Sequence, residues 1–278
     1  MTMRTGATGF CVGLLMSAIV GAQVKYLPSA TTEYGGFGLP DLAGARLLVL
    51  PAHDGALRPD LLQPELLKTA FCADGVRASV QFERRQAAGA STNGRQSSKN
   101  FDAMAGSVFN LLGGKVEADT QCFLASEALM AGSTVLEVGA PAGVSACAQT
   151  DRFATLRTRP VTHCWPIARV GGREVVLLEF ERRGTDALAS LVLVDGARTV
   201  FSDMPAKFHA EGEELWRVDD GGALSAEDIH VICAFQRGNG YTLGVAWGGA
   251  EGWLLSLLVS EGDRFTGVLS EYWYAAPI

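Results

Sequence analysis

Residues 229–247 read IHVICAFQRGNGYTLGVAW. Bulky side chains take every second position on both sides of Asn239-Gly240: Ile229, Val231, Cys233 and Phe235 before it, Tyr241, Leu243, Val245 and Trp247 after it. Alternate residues of a strand point to opposite faces, so a period of two broken by an Asn-Gly dipeptide predicts a β-hairpin. The bulky set predicts the core side. The other side carries His230, Ile232, Ala234 and Gln236, then Thr242, Gly244 and Ala246. Trp253, Leu255, Leu257 and Val259 extend the bulky set, and Ser256 and Ser260 the small one.

Working outward, the same rhythm runs from Val161 to Tyr274, punctuated by Gly171-Gly172 and Asp195-Gly196, where glycine supplies the positive φ of a tight turn. The spacing predicts about eight antiparallel strands in a sandwich or barrel. Residues 175–180 and 188–194 are apolar on both faces, which predicts central strands covered twice. The N-terminal half predicts short strands at 45–50, 76–84, 121–125 and 134–138. Leu62, Leu66 and Leu67 behind Pro59 and Pro64 predict a helix over 57–71, and 101–112 suits a second. Residues 87–100 (AAGASTNGRQSSKN) read as a long mobile loop. The expected fold is therefore mainly β, an antiparallel meander in the C-terminal half with one or two short helices in the N-terminal half; the alternative is α+β. The expected division is 23–155 and 156–278, with the two parts separate or continuous.

The first 22 residues have the three parts of an export signal: Arg4, an apolar run from Phe10 to Val20, and small residues at Gly21-Ala22. The run is too short for a membrane helix, which needs roughly 20 residues, so no membrane span is expected after cleavage. The expected location is periplasmic or extracellular. With 48% hydrophobic and 19% charged residues the chain has the composition of a packed domain rather than a disordered one. A net charge of −7 argues against nucleic acid and anionic lipid, both of which call for a basic face.

Cys72, Cys122, Cys147, Cys164 and Cys233 remain once the signal, with Cys11, is removed. Cys233 sits among bulky strand residues and is expected to be a buried free thiol. The other four are expected to form two disulfides, with Cys122–Cys147 and Cys72–Cys164 preferred among the three possible pairings.

Three short motifs invite a catalytic reading and fail on chemistry. Residues 135–143 (VLEVGAPAG) resemble the glycine motif of S-adenosylmethionine-dependent methyltransferases, but Pro141 stands where that family has a glycine, and no βα alternation follows. Gly143-Val144-Ser145-Ala146-Cys147 resembles a nucleophile elbow whose last glycine is replaced by Cys147. His53-Asp54 resembles the metal motif of sugar de-N-acetylases but lacks its second aspartate. His163 and Cys164 are adjacent on a strand, so their side chains face opposite ways and cannot act together. Seven acids in 211–228 read as a solvated turn, because their spacing matches no calcium loop. No catalytic residue, metal or cofactor is assigned.

The remaining candidate is the smaller sheet face. His230, Gln236 and Thr242, with Tyr272 and Tyr274, are expected to form an amphipathic ligand-binding surface. The functional expectation is an exported, non-catalytic binding or interaction protein whose ligand or partner is unknown. The alternative is an exported hydrolase of cell-envelope glycan, peptide or ester, using the 211–228 acids with His163 or His230; a structural envelope component is a third reading. A His–acid pair meeting in one cleft would favour the hydrolase.

Overall fold

The computed structural model describes residues 35–51, 63–73, 75–141, 146–208, 214–215, 224–249 and 251–276. The signal-peptide reading, His53-Asp54, Ser145 and most of the acidic stretch 211–228 lie outside the described residues. The protein is mostly β, with few short helices.

Six strands form a closed antiparallel barrel in the order β1-β2-β5-β4-β3-β6: β1 (Gly35–Pro40), β2 (Arg46–Val49), β3 (Leu67–Cys72), β4 (Arg77–Gln86), β5 (Gly106–Leu112) and β6 (Cys122–Ser126). Its interior holds Leu47, Val49, Leu67, Phe109 and Leu124. Asp41 closes the β1–β2 turn: its carboxylate accepts the Ala45 amide at 2.8 Å and Arg46 Nε at 2.8 Å. Two expected helices are corrected here. Of 57–71, the described part is a single 3-10 turn at Pro64–Leu66 followed by β3. Residues 101–112 complete a 3-10 turn, Ser98–Ala103, and then become β5. In both places a short apolar run is ambiguous between helix and strand, and pairing in a closed barrel decides for the strand. The segment 87–100 is hydrogen-bonded to the last strand and to itself: Gln96 N donates to Tyr274 O at 2.8 Å, and Asn100 Nδ2 to Arg95 O at 2.8 Å.

After the five-residue helix α1 (Glu127–Ala131), capped by Ser126 Oγ accepting from Leu129 N at 3.1 Å, the chain enters a second sheet. The change of sheet thus falls near 127–133, and 134–155 belongs with the C-terminal strands rather than with the first barrel. The second sheet comprises β7 (Thr134–Leu136), β8 (Val138–Gly139), β9 (Val161–Val170), β10 (Arg173–Arg183), β11 (Asp186–Asp195), β12 (Arg198–Phe208), β13 (Glu214–Leu215), β14 (Ile229–Arg237), β15 (Gly240–Gly248), β16 (Gly252–Glu261) and β17 (Arg264–Tyr274). Its order is β7-β14-β15-β16-β17-β12-β11-β10-β9-β8, with β13 beside β12. The eight long strands match the expected number, but they are two four-stranded meanders. A parallel contact of β12 with β17, at Phe201 opposite Arg264, joins them.

Residues 175–180 and 188–194 are covered on both faces, as their composition predicts. Val175, Leu177, Leu191 and Leu193 face an inner core with Leu243 and Val245. Val176, Leu178, Phe180 and Val192 pack on the other side around Phe153 of helix α2 (Thr150–Arg157). The turn after β14 is shifted by one residue from expectation: Arg237 pairs with Gly240, and Gly238, at φ +57°, takes the first turn position. A two-residue loop with glycine first is the type II′ solution, which does without the positive φ at Asn239 that an Asn-Gly turn would use.

The main correction concerns the β14 face. A bulge between Val231 and Cys233 leaves Ile232 as the extra residue. A bulge reverses which face later residues occupy. Ile229, Val231 and Ala234 therefore face the inner core, whereas Ile232, Cys233 and Phe235 face the small barrel. The side expected to be half-solvated is covered. Phe235, Ala246, Leu255, Leu257, Leu269 and Trp273 share one continuous core with Phe37, Phe71, Phe101 and Phe123 of the first barrel.

The disulfides use the four expected cysteines in a different pairing, Cys72–Cys122 and Cys147–Cys164, with Cys233 free and buried. The preferred pairing was wrong because Cys72 and Cys122 stand directly opposite on β3 and β6. Cys147 and Cys164 lie instead in the second sheet and the segment leading to α2.

Close approach of β16 and β17 makes one glycine demanding. A Cβ on Gly252 would lie 1.9 Å from Trp273 O, whereas one on Gly267 would meet no atom within 4 Å. Gly252→Ala is expected to cost about 1–3 kcal/mol, the usual range for forcing atoms into a packed site. Gly267→Ala is expected to stay within about 0.5 kcal/mol. Urea denaturation of the two variants checks the contrast.

Candidate functional site

The five residues expected to share a recognition surface are dispersed. His230 pairs with Ala246, and Thr242 with Phe235, which puts both on the side facing the small barrel. Gln236 pairs with Tyr241, and Tyr272 with Leu254, on the opposite, inner side; Tyr274 follows Tyr272 by two residues and shares it. The bulge at Ile232 is the cause, because it separates Gln236 from His230. His230 lies 5.6 Å from the Trp253 ring, and burial there holds its pKa below the ordinary histidine value.

His163 does meet an acid. Its Nδ1 lies 2.9 Å from Glu179 Oε2, and its ring stacks on Trp165 at 5.2 Å. The histidine side chain is 61% exposed, so the pair stands on an open surface rather than in a cleft. Its neighbour Cys164 is locked in the Cys147 disulfide and is no nucleophile. Among the described residues, no three His, Cys, Asp or Glu side chains are placed to hold a metal.

A second polar cluster belongs to the fold. Tyr241, almost fully buried, donates its hydroxyl to Asp195 and accepts from Arg173 Nε at 2.8 Å, while Arg173 and Arg198 lie over its ring at 5.1 and 5.4 Å. Burial first, and then the bond to Asp195, raise the tyrosine pKa. Arg198 also binds the carbonyls of Asn239 and Gly262, so the cluster ties together the turns at one end of the second sheet.

A site with room for a ligand lies at the seam of the two sheets. A cavity of about 330 Å³ is lined by Phe71, Cys72, Ala73, Gly75, Val76 and Arg77 of the β3–β4 hairpin, by 135–138, and by Val231, Ile232 and Cys233. This volume lies at the lower end of the range for small-ligand sites, roughly 300–1,000 Å³. The cavity exists because one segment changes partners. Thr134, Val135 and Leu136 pair with Gln236, Phe235 and Ala234 of β14. Continued in register, Glu137 would face Cys233 and Val138 would face Ile232. Instead Glu137 O accepts from Gly171 N at 2.8 Å, and Val138 pairs with Val170 of β9. The strand peels away from β14 at Glu137, and the hairpin carrying Phe71 and Arg77 roofs the space it leaves.

No family model, curated protein or solved structure matches this chain.

The chemistry of the cavity is therefore read from its walls. Eleven of its thirteen lining residues carry apolar, glycine or cysteine side chains; Arg77 and Glu137 are the exceptions. Arg77 lies over the Phe71 ring at 5.2 Å, and among the described residues neither it nor Glu137 has an ion-pair partner. Burial pushes the Cys233 thiol far above its ordinary pKa, so it is a packing group and no nucleophile here. Sequence reasoning missed this site. Its one local signal is the acid in the otherwise apolar run Val135-Leu136-Glu137-Val138.

Proposed function

We propose that this is an exported, non-catalytic binding protein whose ligand enters the seam cavity. The observation that carries this reading is the 330 Å³ space roofed by the β3–β4 hairpin and flanked by Arg77 and Glu137, two charges that the described protein leaves unpaired. Two disulfides support an oxidising compartment, which agrees with the export signal read at residues 1–22 and supports a periplasmic or extracellular location. Among the described residues no helix is long and apolar enough to cross a membrane. The hydrolase alternative gains little from His163 and Glu179, which stand on an open surface rather than in a cleft.

The test is a two-dimensional NMR screen of the full exported chain against mixtures of short peptides, oligosaccharides and fatty acids. At least one class is expected to shift the amides of Arg77, Glu137 and Val231. Ala73 is exposed and lines the cavity, so Ala73→Trp fills the space with little risk to the core. That variant is expected to abolish the shifts while leaving the melting temperature nearly unchanged. Shifts that survive in Ala73→Trp, or a steady turnover of any bound compound, would overturn the reading.

A further inference from the structure

The two charges of the seam cavity belong to opposite walls. Arg77 pairs across the β3–β4 hairpin with Phe71, whose ring meets Phe235 of β14, so the arginine shares the hairpin face turned towards the second sheet. On the other wall, Val135 packs against the core shared with the first barrel, whereas Leu136 and Val138 pack against the inner core of the second sheet. Alternation therefore turns the Glu137 side chain to the side of Val135, towards the hairpin. Among the described residues no ion pair joins Arg77 to Glu137. Both are exposed, as are Ala73 and Gly75, while Phe71, Val231, Ile232 and Cys233 are buried. The space thus runs from a mouth bearing one charge of each sign to an apolar floor.

We propose that the ligand is a single free α-amino acid with a branched aliphatic side chain, its carboxylate at Arg77, its ammonium at Glu137 and its side chain on the floor. The inference rests on the seam cavity being the binding site. A free amino acid at neutral pH carries both charges on groups attached to one carbon. The forked guanidinium matches a carboxylate, and a carboxylate accepts from an ammonium. A fatty acid would satisfy Arg77 but bring a like charge to Glu137, and an amine would fail the opposite way. A glycan would leave the apolar floor of Phe71, Val231 and Ile232 without a matching surface. A volume at the lower end of the small-ligand range suits one small molecule rather than an oligomer. Charges at an exposed mouth are screened and contribute modestly. The floor therefore supplies most of the affinity, and the two charges select the head group.

The experiment titrates the full exported chain with four probes by two-dimensional NMR: L-leucine, L-alanine, isocaproic acid (leucine without its amino group) and isoamylamine (leucine without its carboxylate). Leucine is expected to shift the amides of Arg77, Glu137 and Val231, and to lose that effect in Ala73→Trp. Alanine is expected to bind roughly tenfold more weakly, because each buried carbon it lacks is worth severalfold. The acid and the amine are each expected to bind about fivefold more weakly than leucine. Arg77→Gln should erase the preference for leucine over the amine, and Glu137→Gln the preference for leucine over the acid. Both substitutions are at exposed positions and should leave the melting temperature nearly unchanged. Equal affinity for leucine and either single-charge analogue, or for leucine and alanine, would overturn the inference. A peptide, oligosaccharide or fatty acid that shifts the same amides while leucine does not would also overturn it, but would leave the cavity as the ligand site. If no probe, nor any compound of the broader screen, shifts these amides, both readings fail.

Discussion

Replacing Phe235 by alanine is expected to destabilise the protein by about 3–5 kcal/mol, the range for truncating a buried aromatic. Phe235 is 1% exposed and projects from β14 of the second sheet into the first barrel. Its ring meets Phe71 of β3 edge-on at 5.2 Å and Phe123 of β6 at 6.3 Å. No other ring contact in this cluster crosses from sheet to sheet among the described residues, since Phe37 and Phe123 both belong to the barrel. For a chain of this size the loss corresponds to a fall of roughly 6–20 °C in melting temperature. The position of the ring makes a second, sharper expectation. Phe235→Ala should loosen the seam before either sheet melts, so denaturation should become biphasic. Phe153→Ala removes a ring of equal size from the far side of the second sheet, where it packs on Phe201 at 6.3 Å. It should cost a similar amount and leave a single transition. The pair of variants separates the value of a buried ring from the value of its place between two sheets. A cost below about 1 kcal/mol for Phe235→Ala would mean that the two sheets do not share a core.

Much of this architecture is legible in the sequence because it is local. The turn at Gly171-Gly172 and the doubly apolar stretches of β10 and β11 are read from neighbouring residues alone, and the structure places both as expected. Cys233 is similar: a thiol among Val231, Ile232 and Phe235 has nowhere to go but inward. What escapes local reading is whatever depends on a second element. Val231-Ile232 contains a bulge, yet two adjacent β-branched residues look the same in a regular strand. Missing it assigned Phe235 to the wrong face and united His230 with Gln236 on a surface that does not exist. The helix expected from 57–71 is equally ambiguous, because Leu67 serves a buried barrel strand as well as it would a helix, while Leu66 is left exposed at the end of the 3-10 turn. The seam cavity is the extreme case. It depends on Glu137 leaving β14 for the neighbourhood of Gly171, a choice between two partners remote in sequence. No window of residues contains both.

Removing the Cys72–Cys122 bridge should be costlier than removing Cys147–Cys164, and the two losses should differ in kind. The bridges are 50 and 17 residues apart in sequence. On the chain-entropy account, loops of those lengths lower the stability gained from about 4 to about 3 kcal/mol. Packing widens the gap. Cys72 and Cys122 are buried in the barrel interior, where alanine leaves unfilled space, whereas Cys147 and Cys164 are only half-buried. Cys72→Ala/Cys122→Ala should therefore show the lower melting temperature, and it should melt the first barrel preferentially because both residues belong to adjacent strands of it. The same variant bears on the ligand. Cys72 lines the seam cavity, and its bridge holds the end of β3 that leads into the roofing hairpin. Ligand binding in the seam cavity should weaken in this variant at temperatures well below its melting point. In Cys147→Ala/Cys164→Ala, which lies away from the seam, binding should persist until global unfolding. If binding is lost equally in both, the bridge at Cys72 has no special role in holding the roof, and the cavity wall must be fixed by the shared aromatic core alone.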